Sequence, residues 1–212
     1  MNKMSFRTRA KICGITQLED ASAAVNAGAD ALGFVFYQGS SRYIQANDAA
    51  KITQQLAPFV SKVALFVNPS RTEVDTVLNT FPVDVIQFHG DEDEAFCESF
   101  NIPYIKAIRM QQQTDMNHCA KTYHSAAALL LDAFDKSQFG GTGETFDWAL
   151  LPDNCSLPLI LAGGLGPNNV CQAIQHTQPY AVDVSSGVEK SKGVKDHRLI
   201  KQFMQEVKRA NQ

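Results

Sequence analysis

The feature that most constrains this chain is a regular alternation between short apolar segments and longer amphipathic ones. Eight segments are rich in Val, Ile, Leu and Phe and have the length of β-strands: residues 10–14, 31–36, 62–67, 85–88, 104–108, 127–131, 158–162 and 181–184. Helical periodicity predicts helices over residues 18–27, 46–56, 71–80, 92–99, 167–176 and 195–209. Strands that are apolar throughout are typical of a parallel sheet covered on both faces.

Eight strand–helix units in a chain of 212 residues predict an α/β fold. The specific prediction is a single (β/α)8 TIM barrel that spans residues 1–212. A doubly wound open sheet is the alternative. We favour the barrel because no dinucleotide-binding glycine motif follows the first strand and no break in composition separates two domains.

Composition excludes several classes of function. The net charge is −3 with neutral His, and charges of both signs are interspersed, so nothing predicts binding to nucleic acid or to a membrane surface. No apolar run approaches the ~20 residues of a membrane helix, and the N-terminus lacks the apolar core of a signal peptide. We therefore expect a cytoplasmic protein. Five cysteines without C-x-x-C spacing predict neither a disulfide framework nor a zinc site.

Polar residues recur where the predicted strands end. In a parallel barrel these ends open onto one mouth, which is where active sites lie. The side chains expected there, in chain order, are Lys11, Cys13, Arg42, Asn68, Gln87, His89, Lys106, Arg109, Asp132, Gly163, Gly164, Asp183, Ser185, Ser186 and Gly187. Asp132 is the most informative of them, because an apolar strand rarely ends on a carboxylate that would be costly to desolvate.

The loops after the seventh and eighth strands predict a phosphate site. Gly163 and Gly164 allow backbone N–H groups to approach an anion closely. Ser185, Ser186 and Gly187 can begin a short extra helix whose N–H groups point to the same place. Each pair alone is equally compatible with an ordinary turn or helix cap. Their position at adjacent strand ends favours phosphate, which barrels often bind between these two loops.

Two candidate catalytic groups flank that phosphate site. Because strands six, seven, eight and one are consecutive around a barrel, Asp132 lies on one side of it and Cys13 on the other. An acid and a thiol so placed predict general acid–base chemistry on a sugar phosphate. We expect the positive charge of Lys11 to lower the pKa of the Cys13 thiol. Arg42 follows a Gly-Ser-Ser loop and can bind a substrate carboxylate as a bidentate partner.

Seven ordered motifs resemble those of the phosphoribosylanthranilate isomerases over essentially the whole chain. They are K-I-C-G-I-T (11–16), G-F-V-F-Y-Q-G-S-S-R-Y-I (33–44), Q-F-H-G-D-E (87–92), L-L-L-D (129–132), G-G-T-G-E-T-F-D-W (140–148), L-A-G-G-L (161–165) and D-V-S-S-G-V-E (183–189). The resemblance implies the Amadori rearrangement of N-(5'-phosphoribosyl)anthranilate in tryptophan biosynthesis.

By the same resemblance, Asp132 is the general acid, Cys13 the general base and Arg42 the ligand of the anthranilate carboxylate. It implies no cofactor and no metal, because the amine of the substrate serves as the electron sink. The expected partner is a small phosphorylated aminoaldose. The expected assembly is a monomer or a homodimer, without a fused second enzyme.

Two other functions remain open from the residues alone. One is a Schiff-base aldolase that uses Lys11 or Lys106, and the other is a non-catalytic phosphate-binding or thiol-sensing protein. Several features carry a plain structural interpretation. His89 is expected to be a supporting residue, the 140–143 segment a mobile loop, and the 191–195 segment a flexible basic turn. A short helix is expected near 146–151, and surface positions for His118, Cys119 and His124.

Overall fold

The predicted barrel is confirmed. The computed structural model describes residues 7–133, 148, 151–152 and 154–212. Eight parallel strands close in sequence order, and β1 pairs with both β2 and β8, so the open-sheet alternative is wrong. The strands are β1 Arg9–Cys13, β2 Ala31–Val35, β3 Ser61–Phe66, β4 Val85–Phe88, β5 Tyr104–Met110, β6 Ala128–Ala133, β7 Leu159–Leu161 and β8 Ala181–Val184.

Helices cover the outside of the barrel. In the described part of the chain they are α1 Leu18–Ala27, α2 Ala46–Thr53, α3 Arg71–Leu78, α4 Glu94–Glu98, α5 Met116–Thr122, α6 Val170–Thr177 and α7 His197–Ala210. Local signals explain their ends. Ser70 and Glu73 form a reciprocal capping box at the start of α3, and Gly28 ends α1 with a left-handed φ of 97°.

The alternation of side chains along each strand separates two apolar layers. Outward residues such as Ile12, Leu129 and Val182 pack in the large core between the barrel and the helices. Inward residues such as Ile105 and Leu130 form a second, smaller core. This parity also determines which polar residues at the strand ends face the barrel interior.

A hairpin follows β8 before the last helix. A single turn of 3-10 helix, Ser186–Val188, precedes strands β9 Glu189–Ser191 and β10 Val194–Lys195, which pair antiparallel. The prediction of a flexible basic turn over 191–195 is wrong at its last residue. Lys195 is 1% exposed, because its ammonium group contacts Glu189 beneath the mouth of the barrel.

Some expectations fall outside the described residues. These are the loop at 140–143 and most of the short helix expected near 146–151. His118 and His124 are exposed, as expected, whereas Cys119 is half-buried. Among the described residues, no helix has the length and apolar character required to cross a membrane.

Candidate active site

A cavity opens at the carboxyl ends of the barrel strands, and the empty space within it, its open mouth included, is about 670 Å³. Ten of the fifteen residues expected at the mouth line it, together with apolar side chains, and the five that do not are Lys11, Asn68, Lys106, Arg109 and Gly187. The lining residues are Cys13, Val35, Tyr37, Ser40, Arg42, Leu65, Val67, Gln87, His89, Asp132, Ala162, Gly163, Gly164, Leu165, Asp183, Val184, Ser185 and Ser186.

The thiol of Cys13 lies on one side of this cavity, at the end of β1. Its neighbour across the strand pair is Gly33, where a Cβ atom would come within 2.7 Å of the sulfur, so a glycine leaves the space that the thiol occupies. Burial raises the pKa of Cys13, and the positive charge of Lys11 offsets this only in part. The expected lowering of the thiol pKa is therefore wrong, because desolvation outweighs the nearby ammonium group.

A buried ion pair lies directly beneath the thiol. Lys11 and Asp183 are register partners on β1 and β8, and the Nζ–Oδ1 distance is 2.9 Å. Both side chains are less than 10% exposed. Asp183 lines the cavity, as predicted, but its carboxylate already holds a lysine. The pair neutralises two charges at the end of the barrel that holds Cys13.

A second ionic cluster fixes Arg42. Its Nε and Nη2 atoms donate to the two carboxylate oxygens of Glu189 at 2.8 and 2.9 Å. Lys195 donates to the same carboxylate at 2.8 Å and also to the backbone and side-chain oxygens of Ser185. Burial opposes the charged form of Glu189, yet the bonds and charges of Arg42 and Lys195 prevail and lower its pKa. Sequence reasoning missed this cluster.

Asp132 lies on the opposite side of the cavity, at the end of β6. Its Oδ1 atom accepts the N–H of Ala133 at 2.9 Å, and its Oδ2 atom is 3.1 Å from Nε2 of His89. The side chains of Asp132 and His89 are 8% and 7% exposed. A Cβ atom at Gly163 would lie 2.6 Å from the Ala133 nitrogen, so a glycine is required beside this carboxyl group.

The loops after β7 and β8 meet as predicted. Gly163 and Gly164 have left-handed φ angles of 73° and 60°, which favour glycine, and the expected short helix begins at Ser186. Gly187 has a different position from the one expected. A Cβ atom there would lie 1.9 Å from the carbonyl oxygen of Leu165, so Gly187 allows the two loops to pack together and does not line the cavity.

The 87–92 motif builds the loop that carries His89. Glu92 accepts the backbone N–H groups of Asn68 and Gly90, and its carboxylate is 2.8 Å from Nζ of Lys106. Lys106 is 2% exposed on its side chain and contacts the ring face of Tyr123 on the helical side of the barrel. It therefore supports the loop from outside and does not face the cavity, contrary to expectation.

This combination of fold and site defines a class of protein. A closed parallel barrel that holds a buried thiol, a buried carboxyl group and a glycine-rich edge in one cavity is the architecture of a barrel enzyme acting on a small molecule. Comparison with known proteins agrees. Residues 10–206 match the family model described as N-(5'phosphoribosyl)anthranilate (PRA) isomerase.

Individual relatives give the same result. The N-(5'-phosphoribosyl)anthranilate isomerase of Alcanivorax borkumensis is 52% identical over 207 residues, which cover 94% of this chain and 95% of that protein. The solved phosphoribosyl anthranilate isomerase of Thermotoga maritima superposes with a TM-score of 0.87 at 43% identity and covers 95% of this chain and 98% of its own. This chain therefore belongs to the N-(5'-phosphoribosyl)anthranilate isomerase family.

Two further solved structures describe ligand and assembly in that family. One is a phosphoribosyl anthranilate isomerase in complex with reduced 1-(o-carboxyphenylamino)-1-deoxyribulose 5-phosphate, with a TM-score of 0.82 at 40% identity over 95% of this chain and 98% of its own. The other consists of monomers of the dimeric Thermotoga maritima enzyme, with a TM-score of 0.81 at 39% identity and the same coverage of both chains. Monomeric and dimeric forms thus both occur among the neighbours.

Proposed function

We propose that the chain catalyses the Amadori rearrangement of N-(5'-phosphoribosyl)anthranilate to 1-(2-carboxyphenylamino)-1-deoxyribulose 5-phosphate, with Asp132 as general acid and Cys13 as general base. The observation that carries this proposal is that the two groups line one cavity from opposite sides, with the glycine and serine loops between them. Both groups are buried, so proton transfers occur away from bulk water.

The reaction begins with one proton transfer from Asp132 and one to Cys13, and a tautomerisation completes it. Asp132 donates a proton to the furanose ring oxygen, the bond from that oxygen to C1' breaks, and the anilino nitrogen forms a Schiff base with C1'. The Cys13 thiolate then removes the proton at C2', and the electron pair moves toward nitrogen to give an enolamine. Tautomerisation yields the ketone. The raised pKa of Cys13 makes the thiolate scarce at neutral pH but a strong base once it forms.

The remaining cavity residues bind the two anionic ends of the substrate. Backbone groups at Gly163, Gly164, Ser185 and Ser186 hold the phosphate, and Gly187 supports them by allowing the loops to pack. Arg42 binds the anthranilate carboxylate. Nε and Nη2 are committed to Glu189, and within the described residues Nη1 has no partner. That outer edge is the part of the guanidinium available to a ligand.

Freshly prepared phosphoribosylanthranilate is fluorescent, and its decay on addition of the protein tests the activity. Asp132→Asn and Cys13→Ala should each lower kcat by at least ~10²-fold and largely retain substrate binding, because each removes one proton-transfer group. A folded variant with near-normal turnover would show that its residue does not carry the role assigned to it.

The aldolase alternative is disfavoured by the surroundings of its two candidate lysines. Lys11 is paired with Asp183 and Lys106 with Glu92, and neither lines the cavity. A nucleophilic lysine must be neutral and must reach the substrate. Borohydride treatment in the presence of substrate should therefore leave both residues unmodified, and a covalent lysine adduct would favour the aldolase.

We also propose a ligand, an assembly and a location for this chain. The ligand is a small phosphorylated aminoaldose, which the complex of the related enzyme supports by analogy. The chain acts as a monomer or a homodimer in the cytoplasm, without nucleic acid or membrane partners. Size-exclusion chromatography with light scattering, with and without substrate, distinguishes the two assemblies.

A further inference from the structure

Three buried side chains form a hydrogen-bonded row along one wall of the cavity. Nε2 of the Gln87 amide is 3.0 Å from Nδ1 of His89, and Nε2 of His89 is 3.1 Å from Oδ2 of Asp132. The three residues are 0%, 6% and 5% exposed. Gln87 and His89 are two apart, which places both on the interior side at the end of β4. The row therefore connects the barrel wall to the carboxyl group.

This row determines where the proton of His89 lies. An amide nitrogen only donates, so Nδ1 of His89 accepts, and the single N–H of a neutral imidazole is then on Nε2. That N–H points to Oδ2 of Asp132. The amide oxygen of Gln87 is buried and has no hydrogen-bond partner in the described part of the chain. The Gln87 amide is thus held in place by the hydrogen bond from its nitrogen to His89, and its oxygen does not contribute.

We propose that His89 is a positioning residue for the acid step, with Gln87 fixing the imidazole in the Nε2–H form that donates to Asp132. The inference rests on the proposed role of Asp132 as the general acid. When the proton of Asp132 moves to the ring oxygen, the electron pair of the broken O–H bond stays on the carboxylate. His89 retains its own proton throughout and stabilises the negative charge that develops on Oδ2.

The character of the donor matters as much as its position. A prearranged donor in a buried site strengthens as charge develops on its acceptor and requires no reorganisation. Glu92, in the same loop, provides the contrast. Its carboxylate contacts the charged ammonium group of Lys106 and two backbone N–H groups. Asp132 contacts one backbone N–H and one imidazole, and no lysine or arginine is among these partners.

Two substitutions separate positioning from packing. His89→Leu removes the donor, whereas His89→Gln places an amide N–H near the position of the imidazole Nε2. We expect His89→Leu to lower kcat by at least ~10-fold, with KM within about twofold of the wild type, because the lost bond is strongest when negative charge develops on Oδ2 in the transition state. His89→Gln should recover most of kcat. The matched control is His118→Leu on the exposed surface of α5, which should leave both constants unchanged.

The tautomer can be measured on the wild-type protein, and a variant of the site is needed only to assign the His89 signal. Imidazole ¹⁵N shifts of the folded wild-type protein, with His89 assigned by the signal that His89→Gln lacks, should show a protonated Nε2 and an unprotonated Nδ1. A protonated Nδ1 would mean that the Gln87 amide is reversed, and would overturn the proposal even if His89→Leu fails to fold.

The kinetic measurements also test whether His89 acts as a hydrogen-bond donor to Asp132. A folded His89→Leu variant with wild-type kcat, or equal losses in His89→Leu and His89→Gln, would overturn the role of the donor. Asp132→Asn, assayed in parallel, separates this failure from that of the proposed function. If Asp132→Asn is inactive and His89→Leu is not, only the positioning role is wrong. If Asp132→Asn remains active, the assignment of the acid is wrong.

Discussion

The two sides of the cavity hold their reactive groups by different physical means. Around Asp132 the partners are neutral: a backbone N–H, the His89 imidazole and, behind it, the Gln87 amide. Around Cys13 they are charged, with the Lys11–Asp183 pair beneath the thiol and the cluster centred on Glu189 beside it. A neutral environment orients a group by hydrogen bonds alone, without placing a full charge next to it. A charged environment shifts how readily a group ionises.

The charges on the Cys13 side of the cavity, called the charged side below, also explain why burial determines the direction of the Cys13 pKa shift. The ammonium groups of Lys11 and Lys195 both lower the pKa of Cys13, but each is already matched by a buried carboxylate. Asp183 acts on the thiol in the opposite direction and raises its pKa. Paired charges leave only a small net field, so the desolvation of the sulfur prevails and the pKa is raised.

The largest expected difference between the two sides is in stability. Lys11→Met leaves the buried carboxylate of Asp183 without its partner, and should lower the free energy of unfolding by roughly 3–5 kcal/mol. Gln87→Leu on the neutral side should lower it by only about 1–3 kcal/mol, because a neutral hydrogen bond is lost. Urea unfolding followed by circular dichroism measures both.

The double variant Lys11→Met/Asp183→Asn is the control for this difference. It removes both charges at once and should recover most of the stability lost in Lys11→Met, since no unpaired buried charge remains. If the double variant is no more stable than the single one, the loss reflects the packing of the lysine stem and not its charge.

The next expected effect concerns Arg42. Arg42→Lys retains a positive charge that can pair with Glu189, but an ammonium group lacks the planar fork that can hold Glu189 on one edge and a substrate carboxylate on the other. KM should rise about tenfold, the equivalent of one charge-assisted hydrogen bond of roughly 1.5 kcal/mol, while kcat changes little. Steady-state kinetics measure the split.

Arg198→Lys provides the matched control, because its side chain is 91% exposed on α7 and should leave KM unchanged. An Arg42→Lys variant with wild-type KM would indicate that Arg42 has only a structural role, as the partner of Glu189, and does not bind the substrate. The charged cluster would then be structural, and the substrate carboxylate would bind elsewhere in the cavity.

Much of this arrangement could be predicted from sequence, for a definite reason. Strand ends in a parallel barrel converge, so Cys13 and Asp132 could be placed in one cavity from the ends of two apolar segments 119 residues apart. Parity along each strand could have excluded Lys106, since Ile105 and Ala107 face the interior. The prediction for Lys106 was wrong because it considered only the position of the residue near a strand end, and not which face of the strand its side chain occupies.

The Glu189 cluster could not be predicted in the same way. It joins Arg42 in the loop after β2 to Lys195 in the hairpin after β8, and no periodic pattern relates those positions. The direction of the Cys13 pKa shift was also beyond reach, because sequence shows that a lysine is near but not how completely both groups are buried. Such quantities depend on packing in three dimensions.

The smallest expected effect is the most direct test of how the charged side acts on the thiol. Lys11 lowers the pKa of Cys13 by both its charge and a hydrogen bond, whereas Asp183 raises it by its charge alone. Removing both residues in Lys11→Met/Asp183→Asn should therefore raise the thiol pKa further. Because the thiolate is the proposed base, the limb of kcat/KM that increases with pH should move to higher pH, and Gln87→Leu should not move it.

The same shift has a consequence for stability whose sign is fixed. A thiol pKa that is higher in the folded than in the unfolded chain favours the fold while the thiol is protonated. This contribution is fully present below the unfolded pKa and is lost as pH rises through the folded one. Unfolding free energies of the wild type and Cys13→Ala, measured across the alkaline range, should diverge in that direction. Parallel curves would show that Cys13 has the same pKa in both states, and the ammonium groups would then offset the desolvation of the thiol completely.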